Sequence, residues 1–183
     1  MRSGKKTLFA AGAMLAVVVT TAACGYSLAG RGSFLPATIK TIGIPDFTNA
    51  TPFYQVDQVV TEKMRSEFIG RGKYKVLPQA EGVDAVLVGQ ITSLGVAPSA
   101  FNEQQQATRY VITVTARIEF RDAKADKVLW QNPSLVFRED YDVASNATSV
   151  TDPTAFFGQQ ANALERVSAD FARTVVSAIL EAF

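Results

Sequence analysis

Between Arg109 and Arg121 apolar and polar residues alternate without a break. Tyr110, Ile112, Val114, Ala116, Ile118 and Phe120 fall on one parity; Arg109, Val111, Thr113, Thr115, Arg117, Glu119 and Arg121 fall on the other. A period of two held over 13 residues cannot belong to a helix, whose faces recur every 3.6 residues. It demands a long β-strand with one face on a core and the other largely in water.

The rest of the chain supplies the layer that covers that apolar face. Thr38 to Ile44 is β-branched, alternates, and stops at Pro45. Val56, Val59, Val60, Met64 and Phe68 recur at helical spacing, and Gly70-Arg71-Gly72 ends the helix. Tyr74 to Leu77 reads as a short strand halted by Pro78, and Asp84 to Val96 as a strand apolar enough to lie centrally. Pro98 to Thr108, with Gln104-Gln105-Gln106, reads as a polar loop. Asp122 to Lys127 is a hairpin turn. The return strand starts at Val128, is interrupted at Asn132-Pro133, which marks an edge or a bulge, and continues from Leu135 to Val143. After a polar loop at Asn146–Asp152, Asp152-Pro153 fits an N-cap followed by proline at the first helical position. Phe157, Ala161, Leu164, Val167, Phe171, Val175, Ile179 and Ala182 then trace one face of a single amphipathic helix of about 30 residues. The order is β-α-β-β-β-β-α. Two helices cannot cover both faces of such a sheet, so the expected fold is an α/β (α+β) two-layer sandwich, a mixed sheet of four to five strands with two helices on one face.

Upstream of this domain, Arg2, Lys5 and Lys6 precede the uncharged apolar run Leu8 to Val19. That run ends in Thr20-Thr21-Ala22-Ala23, directly before Cys24, the only cysteine. This is the layout of a secretory signal peptide, and a dozen or so apolar residues fall short of the about 20 that span a membrane. Ala22-Ala23-Cys24 resembles the lipobox of bacterial lipoproteins, with Thr21 where that family usually has Leu, Val or Ile. The resemblance implies cleavage before Cys24, a diacylglyceryl thioether on its sulfur and acylation of the new N-terminus. More than one acyl chain is what makes such attachment durable. Gly25 next to the cysteine, where Asp is absent, implies sorting to the outer membrane by similarity to enterobacterial lipoproteins. The expected organisation is a signal peptide over 1–23, an acylated tether over 24–37 and one domain over 38–183.

Composition narrows the function. Removing Arg2, Lys5 and Lys6 with the signal peptide lowers Lys+Arg from 18 to 15, against 17 Asp+Glu. A near-neutral domain without a basic stripe is not built for nucleic acid. The chain has no histidine, and its one cysteine is assigned to lipid. That leaves no disulfide, no imidazole base, no thiol nucleophile and no His or Cys metal ligand. The expectation is a binding or assembly protein without catalysis, cofactor or metal. Arg109, Arg117 and Arg121 share the less apolar face of the alternating strand and are candidates for bidentate phosphate recognition; Glu119 among them favours ordinary cross-strand pairing instead. Glu139-Asp140-x-Asp142 offers oxygen ligands for a hard cation, though a solvated edge strand that discourages edge pairing is the simpler reading. Trp130 and Phe137 read as core or interface anchors.

Several of these stretches carry a family resemblance. Cys24-Gly25-Tyr26-x-Leu28 after the lipobox, Ile42-Gly43-Ile44-Pro45-x-Phe47-x-Asn49, Asp84-Ala85-x-Leu87-x-Gly89-x-Ile91, the long alternating strand after a Gln-rich loop and the final helix are similar to the LptE family of lipopolysaccharide-assembly lipoproteins. The similarity covers essentially the whole chain. It implies a sheet with two helices on one side, seated inside the outer-membrane β-barrel LptD. It also implies a role in folding that barrel and in passing lipopolysaccharide to the cell surface, with basic residues on or beside the sheet contacting the ligand. A reading from another class is an envelope lipoprotein that regulates a peptidoglycan synthase or forms part of a secretion pore. Such proteins usually need a long tether; about a dozen residues separate Cys24 from the first strand here, which favours work close to the membrane.

Overall fold

The computed structural model describes residues 35–143, 153–160 and 162–183. Its frame is a three-strand antiparallel meander: β4 (Ala85–Phe101), β5 (Ala107–Asp122) and β6 (Lys127–Asp142). The alternation in β5 is realised in full. Its six even-numbered residues from Tyr110 to Phe120 are all at most 3% exposed, while Arg109 and Arg117 on the other parity are exposed. β6 is the edge strand, and the ladder slips at its proline: Ala116 pairs with Leu135 but Ile118 with Asn132, so Pro133 and Ser134 sit in a bulge. The sequence offered edge or bulge, and both hold.

Two short strands extend the sheet past β4. β1 (Thr41–Gly43) pairs in parallel with β4 on one side and with β3 (Lys75–Leu77) on the other, giving the order β3-β1-β4-β5-β6. A two-residue strand, β2 (Thr48–Asn49), pairs with Gln90 and Ile91 of β4; it is too short to leave a sequence pattern. The sheet is thus mixed, with five strands along the path and one beside it.

Close backbone approach explains two glycines. A Cβ on Gly43 would lie 2.3 Å from the carbonyl oxygen of Gln79, where the chain returning from β3 crosses the sheet. A Cβ on Gly89 would lie 2.2 Å from the ring of Phe47, which fills the space a side chain would take. Phe47 is itself fixed: its N–H donates to the hydroxyl of Thr61 (2.9 Å), which donates in turn to the carbonyl of Asp57.

The second layer is helical. α1 (Val56–Gly70) buries Val56, Val60, Met64 and Phe68, each one turn from the last, and leaves Val59 half-buried. Where one helix of about 30 residues was expected, the chain forms α2 (Pro153–Gln159) and α3 (Ala163–Leu180). The apolar spacing runs through the break, which is why it read as continuous. Gly158 and Asn162 are poor helix formers, and the turn closes with Ala163 N–H donating to Gln160. α3 buries Val167, Phe171, Val175 and Ile179, and the apolar face ends at Leu180, with Ala182 exposed. Between the layers Phe68 stacks on Phe120 at 6.4 Å and Phe171 meets Phe137 edge-on at 5.7 Å. Each fully buried phenylalanine contributes roughly 2–3 kcal/mol relative to exposure. Phe137 and Trp130 pack against this core, as expected.

β4 overturns one boundary. It continues through Pro98 to Phe101, so the expected loop Pro98–Thr108 shrinks to a tip at Asn102–Gln106. No strand among the described residues pairs with the far side of β4 beyond Ile91, so a proline there loses no ladder bond, and the register slips at Ser99. The loop Asn146–Asp152 and the N-cap residue Asp152 lie outside the described residues; Pro153 does open α2.

Candidate functional site

Because the helices cover one face, the other face of the meander is the surface available for function. Its rows follow from register: Val88 beside Glu119, Gln90 beside Arg117, Ser93 beside Thr115 and Val136, Gly95 beside Thr113 and Arg138. Polar and β-branched residues dominate, with Val88 at 39% and Val136 at 50% exposure. The segment through Gln79 and Ala80 crosses this face over Gly43, and Ala80 borders a groove with Val86, Val88, Glu119 and Arg121.

Arg109, Arg117 and Arg121 do lie on this face, but they are not one site. Arg109 and Arg117 are eight residues apart, roughly 27 Å at ~3.4 Å per residue, and Arg121 is a further four residues on. No single phosphate bridges them. Arg109 donates from Nε to Asp142 across the ladder at 2.7 Å, and Asp142 with Asp140 raises its pKa. Arg121 donates to Glu119 (2.7 Å) and Asp126 (3.2 Å). Cross-strand and turn pairing therefore occupies both ends. Arg117 alone of the three has no ion-pair partner among the described residues. It lines a shallow groove with Asp46, Thr48, Val88, Gly89, Gln90 and Glu119. Sequence reading missed the groove because Asp46 and Thr48 arrive through β2; the parity of Val88 and Gln90 against Ala85, Leu87 and Ile91 was its one available trace.

Two of the three carboxylates of β6 are likewise engaged. Asp142 holds Arg109, and Glu139 faces Arg166 at 3.9 Å while that guanidinium lies 5.4 Å from the ring centre of Tyr141. Among the described residues no three acidic, histidine or cysteine groups gather as metal ligands.

The motif residues that carried the resemblance serve the frame. Asp84 Oδ2 accepts from the N–H of Lys40 (3.0 Å) and from both the N–H and hydroxyl of Thr41 (2.9 and 2.8 Å); its Oδ1 accepts from Lys124 Nζ (2.6 Å). Lys124 first, then those three donors, hold this carboxyl well below the ordinary range. Asn49 accepts from the N–H and hydroxyl of Thr51 and donates to the Phe53 carbonyl, shaping the turn before α1. Arg65 donates from Nε and Nη2 to the Ile44 carbonyl (2.9 and 2.7 Å), fixing the exit of β1.

At the far end the β4–β5 tip is ordered by one side chain. Asn102 Oδ1 accepts from the N–H groups of Gln104 and Gln106, and Asn102 N–H donates to the Gln106 carbonyl. Gln105 takes a left-handed conformation (φ 61°), and Phe101 stands 53% exposed beside it. Cys24 lies outside the described residues.

Comparison with known proteins places this architecture. No curated protein sequence matches the chain. Among solved structures it is similar to the hypothetical protein CT253 of Chlamydia trachomatis (TM-score 0.52, 9% identity, covering 79% of this chain and 97% of that one). It is also similar to PelC of Paraburkholderia phytofirmans, solved as a dodecamer (0.48, 14%, 81% and 93%). A third is the rare lipoprotein B of Shewanella oneidensis (0.46, 12%, 78% and 95%). At such identity the chlamydial likeness bears on fold alone. The family model LptE, lipopolysaccharide-assembly, matches residues 39–179, from two residues before β1 to the last turn of α3. The chain belongs to the LptE family of lipopolysaccharide-assembly proteins.

Proposed function

We propose that this chain is a non-enzymatic lipoprotein, anchored through Cys24 in the periplasmic leaflet of the outer membrane, that assembles with and plugs an LptD-type β-barrel to deliver lipopolysaccharide to the outer leaflet. The family match across the whole folded domain carries this reading. The fold is consistent with it: helices close one face, and the other is a largely polar sheet surface suited to a water-filled lumen. A chain with no histidine and one cysteine also suits assembly better than chemistry.

In this proposal residues 1–23 are removed, 24–37 tether the domain, and 38–183 act as one unit. The anchor raises the local concentration of the domain around its barrel. Of the three arginines, Arg117 is the one positioned to meet an anionic ligand, since Arg109 and Arg121 already hold carboxylates. Cys24→Ser tests the anchor: acyl mass should disappear and the protein should leave the membrane fraction. Retention of acyl mass and of membrane partition under alkaline wash would refute it. Co-purification of the lipidated chain tests the partner; recovery of a single abundant barrel supports the reading, and recovery of a peptidoglycan synthase in its place would replace it.

A further inference from the structure

Two outer edges of the sheet are guarded. β6 carries the bulge at Pro133 and Ser134, together with Arg138, Glu139, Asp140 and Asp142. β3 is three residues long, holds Lys75 and is followed by Pro78. Short strands, charges and bulges of this kind keep other strands from adding. The far side of β4 beyond Ile91 is a third stretch of edge, left open where the line of β2 stops at the Asn49–Thr51 turn. No charged residue occurs from Thr92 to Phe101, and the register with β5 runs unbroken from Ser93 to Pro98. Alternation along that run fixes which backbone groups face outward. Pro98 has no N–H, so its nitrogen sits on the side away from β5, and Leu94 and Val96 share its phase. The outward set is the N–H and C=O of Leu94 and of Val96 and the C=O of Pro98. Among the described residues no hydrogen bond reaches any of them. Val96 is 7% exposed, so little of it is left to water. Just before this run the same side of β4 is already in use: Ala50 N–H donates to the Ile91 carbonyl at 2.9 Å. On the helix side α2 packs against β4, and its Phe157 meets Phe53 at 5.0 Å.

We infer that this edge of β4 takes one more strand, an extended and uncharged segment of the barrel's own polypeptide, laid along the line that β2 leaves vacant. The inference rests on the barrel reading and names a contact within it. A row of unmet N–H and C=O groups is matched by another polypeptide backbone, and a chain seated singly in a lumen has the barrel's segments as its neighbours. Ser93 to Pro98 accommodates a strand of roughly 20 Å at ~3.4 Å per residue. Side chains of that strand alternate between two settings. Those turned to the helices rest beside Phe53 and Phe157 and are apolar; those on the open face lie beside Ser93, Gly95 and Ala97 and are small or polar.

The test uses the lipidated chain in complex with the barrel that co-purifies with it. Amide hydrogen exchange is run on the free chain and on the complex, and the amides of the released chain are then read by NMR. Each edge bond should slow exchange or strengthen association by roughly fivefold. Leu94 and Val96 should therefore exchange at least about fivefold more slowly in the complex, while Gly95, whose N–H faces β5, keeps its rate. Gly95→Lys puts a charge on the edge without crowding, since a Cβ there meets nothing within 4 Å; it should lower recovery of the barrel roughly fivefold. Thr115→Lys, on the same face one strand inward, should leave recovery unchanged. A recovered barrel with Leu94 and Val96 exchanging as in the free chain, or with both lysines acting alike, overturns the added strand and leaves the barrel reading standing. No recovered barrel overturns both. Slowing of the same two amides in the free chain as its concentration and mass rise together gives the edge to a second copy and overturns the inference.

Discussion

Gly89→Ala isolates the tightest contact in the fold. The added methyl carbon would lie 2.2, 2.4 and 2.6 Å from three ring atoms of Phe47, against the 3.5–4.0 Å of ordinary carbon contacts. Phe47 has nowhere to go: it is 2% exposed, and its backbone is held by Thr61. Overpacking of this kind costs about 1–3 kcal/mol, and ejecting the ring altogether approaches the 3–5 kcal/mol of a buried Phe→Ala change. We expect Gly89→Ala to destabilise by about 3 kcal/mol, or roughly 6–12 °C in Tm for a domain of this size. Phe47→Ala should cost a similar amount. In the double variant the methyl group enters vacated space, and alanine is favoured over glycine in a strand by roughly 0.5–1 kcal/mol. The second substitution should therefore be neutral or stabilising, with a coupling on the order of 3 kcal/mol. Chemical denaturation of the four proteins reads this directly. Additive losses, or a Gly89→Ala protein as stable as the parent, would show that Phe47 does not occupy the glycine's side-chain space.

Two further outcomes follow from burial and charge. Val114 is 3% exposed and its neighbour Thr115 half-exposed, so Val114→Asp should abolish cooperative unfolding while Thr115→Asp costs little; equal melting temperatures would contradict the facing of β5. The Asp84 carboxyl has a depressed pKa, so its ionised form adds stability that is complete above the unfolded value of about 3.9 and is lost as pH falls towards the lower folded value. Asp84→Asn should thus unfold more easily at neutral pH, with the gap narrowing below about pH 4; a constant gap in urea titrations from pH 6 to 2 would refute the lock.

The alternating strand was legible because burial on one face writes a period of two into the sequence, and the helix of Val56 to Phe68 because it writes a period of four. The split between α2 and α3 was not legible: the apolar spacing continues across Gly158 to Asn162, and a broken helix can keep the same face on the core. Pro98 misled for a related reason. Proline is disfavoured in a central strand, yet beyond Ile91 one side of β4 pairs with no strand among the described residues, which only the register reveals. The arginine row was correctly placed on one face, but which arginine is unpaired depends on Asp142 and Asp126, residues 33 and 5 positions away along the chain. The closeness of Lys40 to Lys75 was not legible either, because it arises only through the parallel pairing of β1 with β3.

The proposed partnership is tested most directly by a photo-crosslinker at Gln105, on the ordered tip of the β4–β5 hairpin. In cells it should trap one abundant outer-membrane β-barrel, and depletion of the chain should lower the amount of that barrel in assembled form. Crosslinks chiefly to a periplasmic synthase domain, with barrel levels unchanged on depletion, would contradict it.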